Sequence, residues 1–220
     1  MSNPLIVALD VSTPEEARNL VDDIGDAAGA YKIGLELYLG HGRAAIEAVQ
    51  GLALMLDLKL HDIPTTVARA IGNLPSAKLI TIHALGGRAM LEAANEVKGD
   101  RKTLAVTILT SLGDDQLSEL GLGPARDAVP MLAALAREAG CDGVVCAPTD
   151  VEAVRAVCPR PFLIVTPGVR PAGSAVDDQA RAASPAEALA AGADRIVIGR
   201  PITRAPDPRA AAEAIIKELQ

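Results

Sequence analysis

The sequence predicts an α/β fold with a parallel sheet, closed as a (β/α)8 TIM barrel. Three observations carry that expectation. Short β-rich runs alternate with Ala-rich helical stretches from end to end, eight of each. Such alternation implies parallel strands joined by right-handed crossovers. The 220 residues fit one domain spanning 1–220, with no linker or low-complexity tract to divide it. A doubly wound open sheet fits the same alternation. The count of eight and the length favour the barrel, although barrels usually run to about 250 residues.

In chain order, the first strand run is Leu5–Asp10. A helix over Pro14–Ile24 follows, with Thr13 as N-cap and Pro14 at its first position, where a missing N–H costs nothing. The strand Ala30–Gly34 leads to a helix over Arg43–Gln50, and Ala53–Lys59 to one over Thr65–Gly72. Leu79–His83 precedes a helix over Gly87–Val97, and Leu104–Thr110 one over Ala125–Ala139. Gly143–Cys146 pairs with the helix Asp150–Val157, Phe162–Thr166 with Pro185–Ala190, and Arg195–Gly199 with Pro208–Leu219. The longest irregular stretch is Pro167–Ser184, rich in Gly, Pro and polar residues. A loop of that length inside so compact a chain is usually functional.

Polar residues gather where these strands end. Asp10 closes the first strand, and Lys32 lies on the second. The third ends Asp57-Leu58-Lys59, and the fourth ends in His83. Thr110 closes the fifth, Thr166 the seventh, and Gly199-Arg200 the eighth. In a parallel barrel all of these lie at the C-terminal face, where barrel enzymes carry their active sites. Side chains on a strand alternate faces, so Asp57 and Lys59 point into the barrel while Leu56 and Leu58 point to the helices. With Lys32 beside them this gives a Lys–Asp–Lys array in the mouth. The bland alternative is a salt-bridge network that only fixes strand ends. Buried ion pairs are weak stabilisers, which counts against it. Gly199-Arg200 offers a phosphate site after the last strand, with Arg170 and Gln179 in the preceding loop.

Composition closes off other classes. Half of the residues are apolar, enough for a large core. Tyr31, Tyr38 and Phe162 are the only aromatics, so Leu, Ile, Val and Ala must build that core. Scarce aromatics argue against single-stranded nucleic-acid binding, and a net charge of −7 against nucleic-acid partners in general. A few converging cations can still hold a small anion. Cys141, Cys146 and Cys158 match no zinc spacing, and His41, His61 and His83 no metal template, so no metal is expected. Odd cysteines imply a reduced, cytoplasmic setting. The opening MSNPLIVALD lacks a signal-peptide pattern, and no apolar run reaches the ~18 residues of a membrane span. No G-x-S-x-G elbow, P-loop or G-x-G-x-x-G is present.

The block Asp57-Leu-Lys59-Leu-His61-Asp62-Ile-Pro64-Thr-Thr66-Val67 closely resembles the signature of the bacterial orotidine 5′-phosphate decarboxylase family. Leu9-Asp10, Tyr31-Lys32-Ile-Gly34, His83-Ala-Leu-Gly-Gly87, Leu109-Thr110-Ser111, Thr166-Pro-Gly-Val-Arg170-Pro, Asp178-Gln179-Ala-Arg181 and Ile198-Gly-Arg200 agree with it in order. The resemblance implies a cofactor-independent homodimer that decarboxylates orotidine 5′-monophosphate. It implies that Lys59 donates the proton and that Lys32, Asp57, Lys59 and Asp62 form the charged array. Asp62 and Thr66 would reach into the partner's site. Asp10 and Lys32 would hold the ribose, Thr110 or Ser111 the pyrimidine, and Gln179, Gly199, Arg200 and Arg170 the phosphate. Metal-dependent sugar-phosphate enzymes of the same superfamily share the Asp-x-Lys-x-x-Asp core but lack the Ile63–Thr66 and Asp178-Gln179 blocks. A non-catalytic nucleotide-binding barrel would be expected to lose one of the four charged residues, and all four are present.

Overall fold

A computed structural model describes residues 3–170 and 183–219. Eight parallel strands close in sequence order into a barrel: β1 (Leu5–Ala8), β2 (Ala30–Gly34), β3 (Leu54–Leu60), β4 (Leu79–His83), β5 (Lys102–Val106), β6 (Gly143–Val145), β7 (Leu163–Thr166) and β8 (Arg195–Ile198). Around it run α1 (Pro14–Ile24), α2 (Leu35–His41), α3 (Arg43–Glu47), α4 (Pro64–Asn73), α5 (Gly87–Glu96) and α6 (Asp114–Glu119). The remaining helices are α7 (Ala125–Glu138), α8 (Val151–Val157), α9 (Pro185–Ala190), α10 (Arg200–Thr203) and α11 (Pro208–Glu218). The closed barrel, not the open sheet, is the architecture.

The strands' period of two divides the apolar residues into two cores. Ile6, Ala8, Ala30, Met55, Leu104, Val106, Val145, Val165 and Val197 fill the barrel interior. Leu5, Val7, Tyr31, Ile33, Leu56, Leu58, Ile80, Ile82, Ile164 and Ile196 face outward and pack under the helices. Much of the helical side of that layer is alanine, for example Ala128, Ala133 and Ala136 on α7. Small side chains let the helices sit close to the sheet without aromatic filler.

Several strand ends and three helices differ from expectation. β3 runs one residue further, to Leu60, and β6 stops one residue short, at Val145. β1 stops at Ala8, although Leu9 still donates to the Lys32 carbonyl at 2.9 Å, so Asp10 stands just past the strand. β5 stops at Val106, and Thr110 lies in the turn that follows instead of on the strand. β8 stops at Ile198, leaving Gly199 to cap α10. Helices α2, α6 and α10 were not expected. They are short, and none is preceded by a side-chain N-cap. α6 starts instead with Gln116 Oε1 accepting the Gly113 N–H at 2.8 Å, half of a capping box with glycine in the Ser position.

At the N-terminal rim of the barrel one arrangement occurs twice. Asp142 and Asp194 stand immediately before β6 and β8, each within an Ala-Gly-x-Asp stretch. Asp142 Oδ2 accepts the N–H of Thr103 at 2.9 Å, and Asp194 Oδ2 that of Ile164 at 2.8 Å. Each carboxylate also takes a base from the outer layer: Lys98 Nζ and Arg155 Nη2, both at 2.6 Å. Gly140 and Gly192 reverse the chain out of the preceding helices at φ 84° and 114°, where a side chain would be strained.

Tyr31 ties β2 to this frame. Its ring is 1% exposed on the outer face, and its Oη donates to the Gly25 carbonyl at the end of α1 at 2.8 Å. The next residue, Lys32, then faces the interior. Burial pushes the Tyr31 phenol up to about 12, so it remains a donor at any working pH. Tyr31→Phe is expected to lower stability by about 1–2 kcal/mol by orphaning that carbonyl, a melting shift of roughly 2–6 °C. Urea unfolding of the two proteins checks it; equal midpoints would show that the bond contributes nothing.

Candidate active site

The C-terminal mouth holds a row of four charged side chains of alternating sign. Lys32 Nζ lies 3.0 Å from Asp10 Oδ1 and 3.5 Å from Asp57 Oδ2. Lys59 Nζ lies 2.9 Å from Asp57 Oδ1. The row therefore runs Asp10, Lys32, Asp57, Lys59 across β1, β2 and β3. Register places it there: Ala8 pairs with Lys32 and Gly34 with Asp57. Gly34 keeps the row clear, because a Cβ at that position would come within 3.2 Å of Lys32 Nζ and 3.4 Å of Asp10 Oδ1.

Asp57 is the centre of the row. Burial pushes its carboxyl up. The charges of Lys32 and Lys59 and hydrogen bonds from Lys59 and Thr81 outweigh burial and hold it below the usual carboxylate range. The carboxylate is therefore held in its charged form near neutral pH. Two ammonium groups beside one carboxylate would repel each other without it.

The row forms one wall of a cleft of about 250 Å³, close to the ~300 Å³ at which small-molecule sites begin. The facing wall is apolar: Val106, Ile108 and Leu109 from the β5 end, Val145 and Cys146 from the β6 end. Ala8, Met55 and Val197 make the floor. Thr110, Pro167, Gly168 and Gly199 complete the rim. A charged row opposite an apolar wall is a site of low local dielectric, where charge on a ligand is felt strongly.

The structure brings together Asp10, Lys32, Asp57, Lys59, Thr110 and Gly199 from the expected set. Among the described residues, Ser111, Arg170, Arg200, Asp62 and Thr66 are not on the cleft wall. Ser111 is exposed and is not part of the cleft wall. Arg200 is exposed at the first position of α10, and Arg170 is partly buried, its N–H donating to the Ala183 carbonyl at 3.0 Å. Asp62 and Thr66 are exposed, on the β3–α4 connection and on α4. Asp62 Oδ1 accepts the N–H of Ile63 at 2.6 Å. Gln179 lies outside the described residues, as do Asp178 and Arg181.

A family model described as orotidine 5′-phosphate decarboxylase / HUMPS family matches residues 3–215. The chain belongs to this family. An orotidine 5′-phosphate decarboxylase of Thermobifida fusca is 52% identical over 227 residues, covering 100% of this chain and 97% of that one. One of a Methylobacterium strain is 50% identical, covering 98% and 94%. Among solved structures, an orotidine 5′-phosphate decarboxylase of Lactobacillus acidophilus superposes with a TM-score of 0.87 at 38% identity, covering 99% of both chains.

In this member of the orotidine 5′-phosphate decarboxylase family, two further side chains adjoin the row and were not singled out as site residues from sequence. Thr81 on β4 is fully buried against Asp57. His83 stacks on His61, ring centroids 5.3 Å apart and planes at 24°. Its Nδ1 accepts the Leu85 N–H at 3.4 Å, which assigns the proton of the neutral ring to Nε2. Burial, then His61 and then Lys59, push the imidazole down to about 4. His83 is therefore a neutral imidazole near pH 7.

Between pH 6.5 and 4 the unfolded chain binds a proton at His83 and the folded chain does not. The contribution is full above pH 6.5 and is lost as pH falls through the folded value. Its size is on the order of 2 kcal/mol, partial solvent access reducing the full linkage value. Urea unfolding at pH 7 and at pH 4.5 is expected to show a smaller stability difference in His83→Gln than in the wild type. An unchanged difference would assign the acid sensitivity to another group.

Proposed function

We propose that this chain decarboxylates orotidine 5′-monophosphate to uridine 5′-monophosphate, the last step of de novo pyrimidine nucleotide synthesis. The observation that carries the reading is the alternating row Asp10–Lys32–Asp57–Lys59 facing an apolar wall. The full-length similarity to orotidine 5′-phosphate decarboxylases supports it.

The chemical difficulty is the electron pair left behind. When the bond from C6 of the pyrimidine to its carboxylate breaks, CO2 leaves and the pair stays on C6, where no neighbouring carbonyl absorbs it. A fixed cation must stabilise it instead. Lys59 reaches the cleft with its ammonium held by Asp57 at 2.9 Å. It stabilises the pair, gives its proton to C6 and recovers one from solvent. Asp57 keeps Lys59 aimed and charged. Its negative charge also repels a substrate carboxylate placed beside it. Asp10 and Lys32 hold the ribose hydroxyls, and Thr110 or Ser111 the pyrimidine. Gly199, Arg200, Arg170 and Gln179 serve the phosphate, whose grip supplies binding energy remote from the reacting bond.

Loss of the orotate-ring absorbance on mixing the protein with orotidine 5′-monophosphate tests the reading. Turnover is expected to persist after exhaustive EDTA treatment, and Lys59→Ala to lower it by about 10²-fold or more in a folded protein. Loss with EDTA that Mg²⁺ restores would move the chain to the metal-dependent sugar-phosphate chemistry.

A homodimer with shared sites belongs to the same proposal. Asp62 and Thr66 lie outside their own chain's cleft, and Ile63 between them is 64% exposed. An isoleucine so exposed beside two polar residues on one rim suits burial against a second copy. Lys59→Ala and Asp62→Ala homodimers should each be nearly inactive. Refolded together, they form mixed dimers with one doubly broken site and one intact site. About half of the dimers are mixed, so roughly a quarter of wild-type activity should return at equal amounts. A mixture that stays inactive after mass spectrometry confirms exchange would show that Asp62 serves its own chain.

A further inference from the structure

The third and fourth strands slip against each other beside the charged row. Leu56 pairs with Ile80 and Leu60 with Ile82, so β3 spends more residues than β4 over the same span. This is a bulge, and it contains Lys59. Lys59 has a φ of 49°, the one positive value among the described non-glycine residues. A lysine gains nothing locally from that conformation, and it persists only where surroundings impose it.

The bulge takes the Lys59 N–H out of the regular ladder. That N–H donates to Thr81 Oγ1 at 2.8 Å. The same hydroxyl donates its own proton to Asp57 Oδ1 at 3.1 Å. Asp57 Oδ1 accepts in turn from Lys59 Nζ at 2.9 Å. The bonds close a ring: Lys59 main chain, Thr81 hydroxyl, Asp57 carboxylate, Lys59 ammonium. Thr81 has no exposed surface, so solvent does not substitute for its hydroxyl. It also has no face on the cleft and cannot touch a ligand there.

We propose that Thr81 is a positioning residue for the proton donor: its buried hydroxyl locks the left-handed backbone of Lys59 and the Asp57 carboxylate into one geometry. This rests on the decarboxylation reading given above. A hydroxyl is required, because the role needs one acceptor and one donor on a single small atom. Valine matches threonine in volume and supplies neither. Serine supplies both.

Thr81→Val should lower kcat by roughly 10- to 100-fold, the scale of one orphaned buried donor, with KM within about twofold of wild type. Thr81→Ser should restore kcat to within about threefold. Both are assayed well below their melting temperatures. A purely structural role would lower the melting temperature of Thr81→Val and leave kcat alone. That result, or equal changes in kcat and KM in both variants, overturns the proposal. Amide hydrogen exchange supplies a measurement independent of turnover. The Lys59 N–H of the wild type should be protected, and in Thr81→Val should exchange about tenfold faster or more. An unprotected Lys59 amide in the wild type overturns the proposal even if Thr81→Val does not fold. Absence of decarboxylation in the wild type would remove the functional reading and leave the exchange result to decide the clamp.

Discussion

A single carboxylate between two ammonium groups is the constraint around which this molecule is arranged. Asp57 is within 3.5 Å of Lys32 and 2.9 Å of Lys59. Removing one member of such a group leaves an uncompensated charge, which costs several times what the pairs contribute in stability. All must therefore be present together and in phase. Adjacent parallel strands meet that demand directly. Register puts side chains from neighbouring strands at one height, and the period of two sends them to one side. Asp10 extends the alternation to the rim, so the row is neutral overall while each charge within it remains strong.

The same row explains the irregular places near it. Gly34 is small because a side chain there would crowd Lys32 and Asp10. β3 bulges, and Lys59 adopts a backbone conformation that lysine on its own does not favour. The apolar wall from β5 and β6 adds to the field of the row by keeping water and counter-charge away. These features carry no evident advantage for folding. In the proposed reaction they serve as preorganisation, in which cost met during folding removes cost from the reaction.

Much of this was legible in the sequence because two periodicities are simple. Alternation of strand runs and helices announced the barrel. The two-residue spacing of Asp57 and Lys59 announced their shared side. Thr81 was not legible. In Leu79–His83 it reads as an ordinary strand threonine, and its role depends on a slip in β3 that no residue in β3 advertises. The short helices α2, α6 and α10 were missed because glycine stands at each N-cap, Gly34, Gly113 and Gly199, where no side chain marks the start. The fifth strand run was read on to Thr110, yet the chain leaves the sheet at Val106. Asp62, Thr66, Arg170 and Arg200 carry charge or polarity in the right segments. Segment and cleft are different things, and within one chain these four lie off the cleft wall.

The paired aspartates at the opposite rim bear on how such a protein changes over generations. Asp142 and Asp194 each stitch a strand's beginning to its neighbour and to a base in the outer layer, using one local solution twice. That end of the barrel is fastened by groups that share no contact with Lys32, Asp57 or Lys59. Inheritance can therefore act on the two rims separately. The ion pairs and hydrogen bonds of the mouth and those of the fastening have no residue in common. A lineage built this way can exchange one reaction for another without first solving the problem of folding again.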